Sequence, residues 1–419
     1  MIIAYDIGGA NIKIALIEMG RIILKNSFYF PFWKEKNNFV NFLFKLLEKN
    51  NIKLNEIDAV GVTMTAELSD AFQTKDEGVN FILNSVESVF SDIKIYVLSN
   101  NSDLISIDDA KLNPYSVASA NWAATSWYAA KKYENCLLVD IGSTTTDIIP
   151  IKNGKIAVNG KTDLERLQTG ELIYTGILRT NIAAITDSIN LNNKKIGFGF
   201  LLHGTIKNIA NDSEAYFSQT LCDCRSQNSK NFSIFNFFEK LKMLKYRDFC
   251  KKSHYFGITR ISDSHYREIS SYTRKSRYFF IGKYDKKIHI SSELFATTAD
   301  VYRILNEITE MDYSCETADG RGKGKDECMA RLARVLCADT NELSENEIIE
   351  MAEYIKDKQI KKITDGILRV KNDKIEKLIA AGAGSFLTKE IGKEENIPVI
   401  ELDINSAAAL GLMVEEIHK

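Results

Sequence analysis

One internal repeat constrains this chain more than any other feature. Ala4-Tyr5-Asp6-Ile7-Gly8-Gly9-Ala10-Asn11-Ile12-Lys13-Ile14 aligns with Leu138-Val139-Asp140-Ile141-Gly142-Ser143-Thr144-Thr145-Thr146-Asp147-Ile148. Asp, Ile and Gly coincide, and the apolar pattern matches on both sides. Each copy reads as strand, tight turn, strand, a recurring supersecondary unit. Two such starts, far apart in the chain, predict two lobes rather than one doubly wound sheet.

The chemistry of the turn follows from its residue types. Glycine lets the backbone approach an anion, and successive N–H groups in a tight turn make an anion-binding nest. Gly8, Gly9, Asn11 and Lys13 are the phosphate-binding candidates of the first copy, and Gly142, Ser143, Thr144 and Thr145 those of the second. Asp6 and Asp140, at the strand ends, are the candidate catalytic and metal-holding carboxylates. Such residues suit Mg2+, a hard cation that takes a few oxygen ligands and keeps water. Two facing copies would clamp a polyphosphate.

Between and beyond the repeats the chain alternates strand and helix patterns, the mark of an α/β fold. Helices are predicted over 39–50, 79–90, 116–133 (capped by Ser116 or Ser119), 164–179, 292–308, 326–337, 345–370 and 406–417, and strands over 58–64, 93–98, 378–381 and 398–402. The first lobe is predicted over 1–115, with the terminal helix 406–417 against it, and the second over 116–186 and 288–405. Near Asp187 the periodicity is lost, aromatics crowd in, and 187–287 reads as an insertion.

Composition excludes several classes. A net charge of −2 provides no basic footprint for nucleic acid, so none is expected as a partner. No apolar run approaches the roughly 18 residues that span a bilayer, so no membrane partner is expected. Seven cysteines at irregular spacing fit a reducing, cytoplasmic setting better than a disulfide framework. Oligomeric state is not legible.

Other motifs weaken on inspection. Gly154–Thr162 is one residue too long for a P-loop and follows a strand–turn. Cys222, Cys224, Cys250 and His254 match no common zinc spacing. Cys328 reads as a buried small residue, and Trp122 and Trp127 as helix packing. The Leu378-Ile-Ala-Ala-Gly-Ala-Gly-Ser385 turn either packs a helix closely on a strand or admits a flat ring at Gly382 and Gly384.

The two Asp-Ile-Gly units and this third turn, in this order, resemble the acetate/sugar kinase–Hsp70–actin superfamily. The resemblance implies two ribonuclease-H-like lobes, with phosphate-one, phosphate-two and adenosine-type motifs around an interlobe cleft. Longer strings narrow it: Thr63-Met-Thr-Ala-Glu-Leu-Ser-Asp70, Ser119-Ala-Asn-Trp122, Tyr174-Thr-Gly-Ile-Leu-Arg-Thr180, Glu293-Leu-Phe-Ala-Thr-Thr-Ala-Asp-Val-Tyr302 and Thr317-Ala-Asp-Gly-Arg-Gly-Lys323. Together they resemble the hydantoinase/oxoprolinase-related family of archaeal and methylotroph one-carbon metabolism, over roughly residues 1–186 and 288–419. Asn181 stands where proline is expected.

What the resemblance implies is a transferase of methanofuran biosynthesis rather than ATP chemistry. The phenol of glutamyl-tyramine displaces diphosphate from an aminomethyl-furanmethyl diphosphate, giving an aryl ether. A phosphate clamp with Mg2+ would stabilise the departing diphosphate. The phenol, with an ordinary pKa near 10, needs a base or a late proton transfer, for which Glu67 and Asp70 are candidates. Arg179, Arg321 and Lys323 would meet phosphate or the glutamyl carboxylate. Two alternatives stay open: an ATP-dependent sugar-kinase-like or oxoprolinase-like enzyme, and a non-catalytic nucleotide sensor.

Overall fold

The computed structural model describes residues 1–191, 287–371 and 375–419. The chain divides into two units: Met1–Ile189 with Glu293–Val335 and Asp339–Lys419, and Asn190–Ser292 with Leu336–Ala338. The second falls largely outside the described residues, as do Cys222, Cys224, Cys250 and His254 and the zinc reading attached to them.

The first unit holds two mixed sheets of like topology. One contains β1 (Ile2–Ile7), β2 (Asn11–Glu18), β3 (Arg21–Tyr29), β4 (Ala59–Met64), β5 (Lys94–Leu98) and β6 (Leu104–Ser106), in the order β3-β2-β1-β4-β5-β6. The other contains β7 (Cys136–Ile141), β8 (Thr146–Lys152), β9 (Lys155–Ile156), β10 (Leu172–Ile173), β11 (Leu378–Ala381) and β12 (Val399–Glu401). Its order is β10-β8-β7-β11-β12, with β9 on β8. In each, an antiparallel hairpin leads and parallel strands extend the opposite side of its first strand. The architecture is α/β with two ribonuclease-H-like sheets, and the repeat read from the hairpins extends to five strands of each sheet, β6 having no counterpart in the second.

Helices supply the crossovers that parallel neighbours require. After α1 (Phe32–Glu35), α2 (Phe39–Lys49) joins β3 to β4, burying Phe39, Leu43, Leu46 and Leu47 on one face. α3 (Lys75–Val89) joins β4 to β5, with the Thr74 hydroxyl accepting from the Glu77 N–H at its cap. α4 (Ile107–Leu112) and α5 (Asn121–Lys132) lead to the second sheet. There follow α6 (Asp163–Thr169), α7 (Thr298–Ile304), α8 (Lys325–Arg334), α9 (Glu345–Val370), α10 (Ser385–Glu394) and α11 (Ser406–His418).

Three helices are shorter than their periodicity predicts, for local reasons. The 164–179 pattern stops at Thr169 because Gly170 takes a left-handed turn, φ 82°, and β10 follows. The 292–308 pattern begins only at Thr298, where Thr297 and Asp300 form a capping box. α5 begins at Asn121 rather than Ser116. Ser119 sits at φ 53° and spends its hydroxyl on Glu67 instead of a cap. The edge strand β3, mostly exposed, has little apolar alternation to betray it.

Two apolar cores flank the first sheet. One joins β1, β2 and β4 to α2 and α3 around Phe30, Phe32, Phe39 and Leu43. The other joins the opposite sheet face to α5 and α11 and continues into Leu138, Ile149 and Ile379 of the second sheet. Its helices present mainly alanines (Ala123, Ala124, Ala407, Ala408), so both sheets share one thin helical layer. β1 and β4 are buried along their whole length, which leaves only their C-terminal ends to carry chemistry. Among the described residues no helix is long and apolar enough to cross a membrane.

Candidate active site

The repeated hairpins close in the same way. Gly8 N–H donates to the Asn11 carbonyl at 3.0 Å, and Gly142 N–H to the Thr145 carbonyl at 2.9 Å. Strand register sets Asp6 opposite Lys13 and Asp140 opposite Asp147. The turn residues Gly8, Gly9, Asn11, Gly142, Ser143, Thr144 and Thr145 are half-buried, while the strands behind them are buried. Both turns are therefore partly accessible, whereas the strands behind them are closed off.

Between them lies a cluster of opposed charges. Lys13 Nζ donates to Asp6 Oδ2 at 2.8 Å and to Ser406 Oγ at 3.3 Å, and Ser406 Oγ donates to the same Asp6 oxygen. Ser406 opens α11, so Asp6 meets the positive end of that helix. Burial works to lower the Lys13 ammonium, but Asp6, with Asp140 and Asp147 further off, holds it above its ordinary value. Burial and the neighbouring Asp147 carboxylate push Asp140 up to about 6, against the pull of Lys13. Lys13 nevertheless keeps 36% of its side chain exposed. Protein surrounds these groups on most sides while water still reaches them, as on the floor of a cleft.

Asp147 and Arg166 escaped the sequence reading. Arg166, fully buried, donates to Asp147 Oδ1 at 2.7 Å and stacks 4.6 Å over the Trp122 ring. The signal was present: Asp147 aligns with Lys13 in the repeat, so the register alone placed it beside Asp140. Ser406 and Arg166 left no such trace, because their partners lie far off in sequence or across the sheet.

The second turn is braced from behind. The N–H groups of Ile177, Leu178 and Arg179 donate to the carbonyls of Gly142 and Ser143 at 2.9–3.0 Å. Gly176 makes this approach possible, since a Cβ there would stand 2.5 Å from Ser143 C and Thr144 N. The Gly176 carbonyl accepts from Gln359 Nε2 at 2.9 Å and Thr298 Oγ1 at 2.9 Å, and Tyr302 OH donates to Gln359 Oε1 at 2.6 Å. Buried polar groups so fully paired make a rigid support.

Gly382 and Gly384 serve packing. Gly382, at φ 77°, has no room for a Cβ against Asp140 Oδ1 and the Ile141 carbonyl, and Gly384 none against Ile141. The turn therefore packs closely on the end of β7.

Glu67 and Asp70 separate by environment. Glu67 is 1% exposed and accepts from Ser119 Oγ at 2.7 Å. Its carboxyl is raised by burial against the Ser119 hydrogen bond. Asp70 is exposed and follows Ser69, whose Cβ would lie 3.7 Å from one added at Gly9. Ser69 thus borders the first turn, with exposed Asp70 the next residue along, whereas Glu67 is buried and tied to the segment entering α5.

The basic candidates also divide. Arg179 is exposed and its guanidinium lies 4.9 Å over the Trp33 ring. Lys323 Nζ donates to the Tyr313 carbonyl and lies 5.3 Å over that ring, so it serves its own loop. The Arg321 side chain is 66% exposed, and its guanidinium lies 3.9 Å from the Asp319 carboxylate. Fully buried Arg331 ties the loop down, donating to Asp300 at 2.8 Å, Asp319 at 3.0 Å and the Gly322 carbonyl at 3.0 Å. Burial opposes ionisation of Asp319, yet Arg334, the Arg321 N–H and Arg331 bring it down to about 2. Cys328 is buried against this network, and burial pushes its thiol up to about 12.

The donor set suits Mg2+ rather than a metal caged by protein. Among the described residues no three His, Cys, Asp or Glu side chains converge as ligands. Mg2+ asks for less: one or two carboxylates, with water and phosphate completing the shell. Asp6 Oδ1 is buried with no hydrogen-bond donor from the protein, and Asp140 stands in the repulsion of Asp147 and Asp6. A cation between the turns would relieve both.

Residues 58–418 match the family model described as hydantoinase/oxoprolinase. A protein of Methanocaldococcus jannaschii, the (4-{4-[2-(gamma-L-glutamylamino)ethyl]phenoxymethyl}furan-2-yl)methanamine synthase, is 31% identical over 95% of this chain and 90% of its own length. A protein of the same name from Methanococcus vannielii is 31% identical over 53% of this chain and 59% of its own. Component A of the (R)-2-hydroxyglutaryl-CoA dehydratase of Acidaminococcus fermentans aligns over 100% of this chain and 99% of its own, at 8% identity and a TM-score of 0.42.

Proposed function

The chain belongs to the hydantoinase/oxoprolinase family, and we propose that within it the protein is the synthase that joins 5-(aminomethyl)-3-furanmethyl diphosphate to gamma-glutamyltyramine, forming the aryl ether and releasing diphosphate. The observation that carries this reading is the 31% identity to a synthase of that name across 95% of the chain. The paired turns and their charge cluster are compatible with it, because the step asks for a polyphosphate clamp.

In this reading the bond from the furan methylene to the diphosphate oxygen breaks, and the methylene–phenol oxygen bond forms. The N–H groups of the two turns other than those of Gly8 and Gly142, which close the hairpins, hold the diphosphate together with the hydroxyls of Ser143, Thr144 and Thr145. Asp6 and Asp140, with water, would hold Mg2+, which when bound would neutralise charge on those oxygens. Lys13 is kept cationic by the surrounding carboxylates and adds a fixed positive charge at the same place. The furan delocalises positive charge at its methylene, so the phenol need not be ionised before attack, and its proton leaves late.

The two proposed bases then take different parts. A base must come within roughly 3 Å of its proton. Asp70, exposed and next in sequence to Ser69 at the first turn, is the one a bound phenol reaches. Glu67 is a positioning residue that ties the end of β4 to the segment entering α5 through Ser119.

The test supplies both substrates and Mg2+ without ATP and follows aryl ether and inorganic diphosphate by mass spectrometry. Equimolar appearance of the two is expected. No coupled product, together with ATP turnover on another substrate, would overturn the reading in favour of a kinase-like or oxoprolinase-like enzyme.

A further inference from the structure

Trp33, Arg179 and the two phosphate turns form one arrangement whose parts come from both sheets. Phe32 N–H donates to the Gly9 carbonyl at 2.9 Å, so Trp33 follows a residue pinned to the first turn. Arg179 N–H donates to the Ser143 carbonyl at 2.9 Å, so Arg179 is itself pinned to the second. The guanidinium–indole contact at 4.9 Å thus spans the two turns. A second bridge lies beside it, where Lys34 Nζ meets the Glu316 carboxylate at 2.7 and 2.9 Å. Arg179 also lies within the electrostatic reach of Glu316, Tyr29 and Cys315, yet its guanidinium forms no close ion pair with Glu316, which goes to Lys34.

An exposed cation–π contact is weak beside a charge-assisted, two-pronged hydrogen bond to phosphate. A diphosphate on the second turn would therefore compete successfully for Arg179, whose backbone already touches that turn. Trp33, anchored through Phe32, stays where it is and loses its cover. What is uncovered is a flat indole face at the mouth of the site, suited to stacking on an aromatic ring.

We infer that Arg179 and Trp33 form an anion-responsive clasp: Arg179 exchanges the Trp33 ring for the bound diphosphate, and the freed indole becomes the platform for the ring of the phenolic substrate. The inference rests on the proposed diphosphate chemistry and adds to it an order of binding. The diphosphate substrate comes first and the phenol second, so the reactive methylene is in place before its nucleophile arrives.

The test uses the full-length protein with Mg2+ and inorganic diphosphate, read by tryptophan fluorescence and by calorimetry. The expected result is a saturable change in emission that tracks calorimetric binding. It vanishes in Trp33→Phe, which leaves Trp122 and Trp127 as the only indoles. In Arg179→Met the affinity for diphosphate falls about 10- to 100-fold, the span expected for a lost charge-assisted hydrogen bond, and saturating diphosphate no longer changes the emission. Tyramine is expected to bind only when diphosphate is present in the wild type, and without that requirement in Arg179→Met. Calorimetric binding with no change in emission, or an equal change in Arg179→Met, would overturn the clasp and leave the diphosphate reading standing. No diphosphate binding at all would remove both.

Discussion

Replacing Gly176 by alanine tests whether the second turn is where the chemistry is organised. The added Cβ would stand 2.5 Å from two backbone atoms, Ser143 C and Thr144 N, and 2.6 Å from the Gly142 carbonyl oxygen. Carbon atoms rest at about 3.5 Å or more, so the turn or its brace must give by about 1 Å. The brace is held by Gln359, Thr298 and Thr180, all buried, so the turn is the softer partner. Overpacking of this kind costs about 1–3 kcal/mol of stability. A displacement of 1 Å in a positioning element costs about 100-fold in rate. Gly176→Ala is therefore expected to fold with a modestly lowered midpoint in denaturant, and to lose about two orders of magnitude in diphosphate release. Gly9→Ala is the contrast, since a Cβ there meets only Ser69 Cβ at 3.7 Å, an ordinary contact. Its structure is expected to be unchanged. A folded Gly176→Ala protein with wild-type turnover would refute the assignment of the second turn to phosphate.

Other expectations follow from the charge network. In Asp140→Asn the stability difference from wild type should grow between pH 4 and 6. The native carboxyl titrates near 6 and the unfolded one near 3.8, so the wild-type fold binds more protons over that range and loses stability as pH rises. The full difference above pH 6 is at most about 3 kcal/mol, reduced by cleft water, and denaturation at pH 4.5 and 7.5 measures it. The same variant should lose its response to Mg2+, and wild-type activity should fall as pH drops through 6. Arg331→Met strands a buried Asp300, so a loss of about 3–5 kcal/mol in chemical denaturation is expected, with Asp300→Asn in the same chain recovering part of it. Gln359→Leu unpairs Tyr302 and removes one of the donors to the Gly176 carbonyl, so it should lower both stability and diphosphate affinity; an effect on stability alone would uncouple the brace from the turn.

What the sequence determined by itself is local. Each Asp-Ile-Gly hairpin lies within a dozen residues, and hairpin geometry depends on near neighbours, so the strand ends, the turn hydrogen bonds and the Asp140–Asp147 register were all legible in the repeat. The long amphipathic helix Glu345–Val370 was legible for the same reason. What only the tertiary structure decided depends on residues that meet across the fold. Ser406 reaches Asp6 because α11 returns to the first sheet. Arg166 reaches Asp147 because Gly170 ends α6 and β10 folds back beside β8. The close approach of Gly382 and Gly384 to Asp140 and Ile141 depends on β11 lying beside β7. Trp33 gains its place in the site only because the fold sets Arg179 above it. A strand pattern can announce a turn, but the atoms opposite that turn come from other parts of the chain, and their positions follow from how the sheets and helices pack.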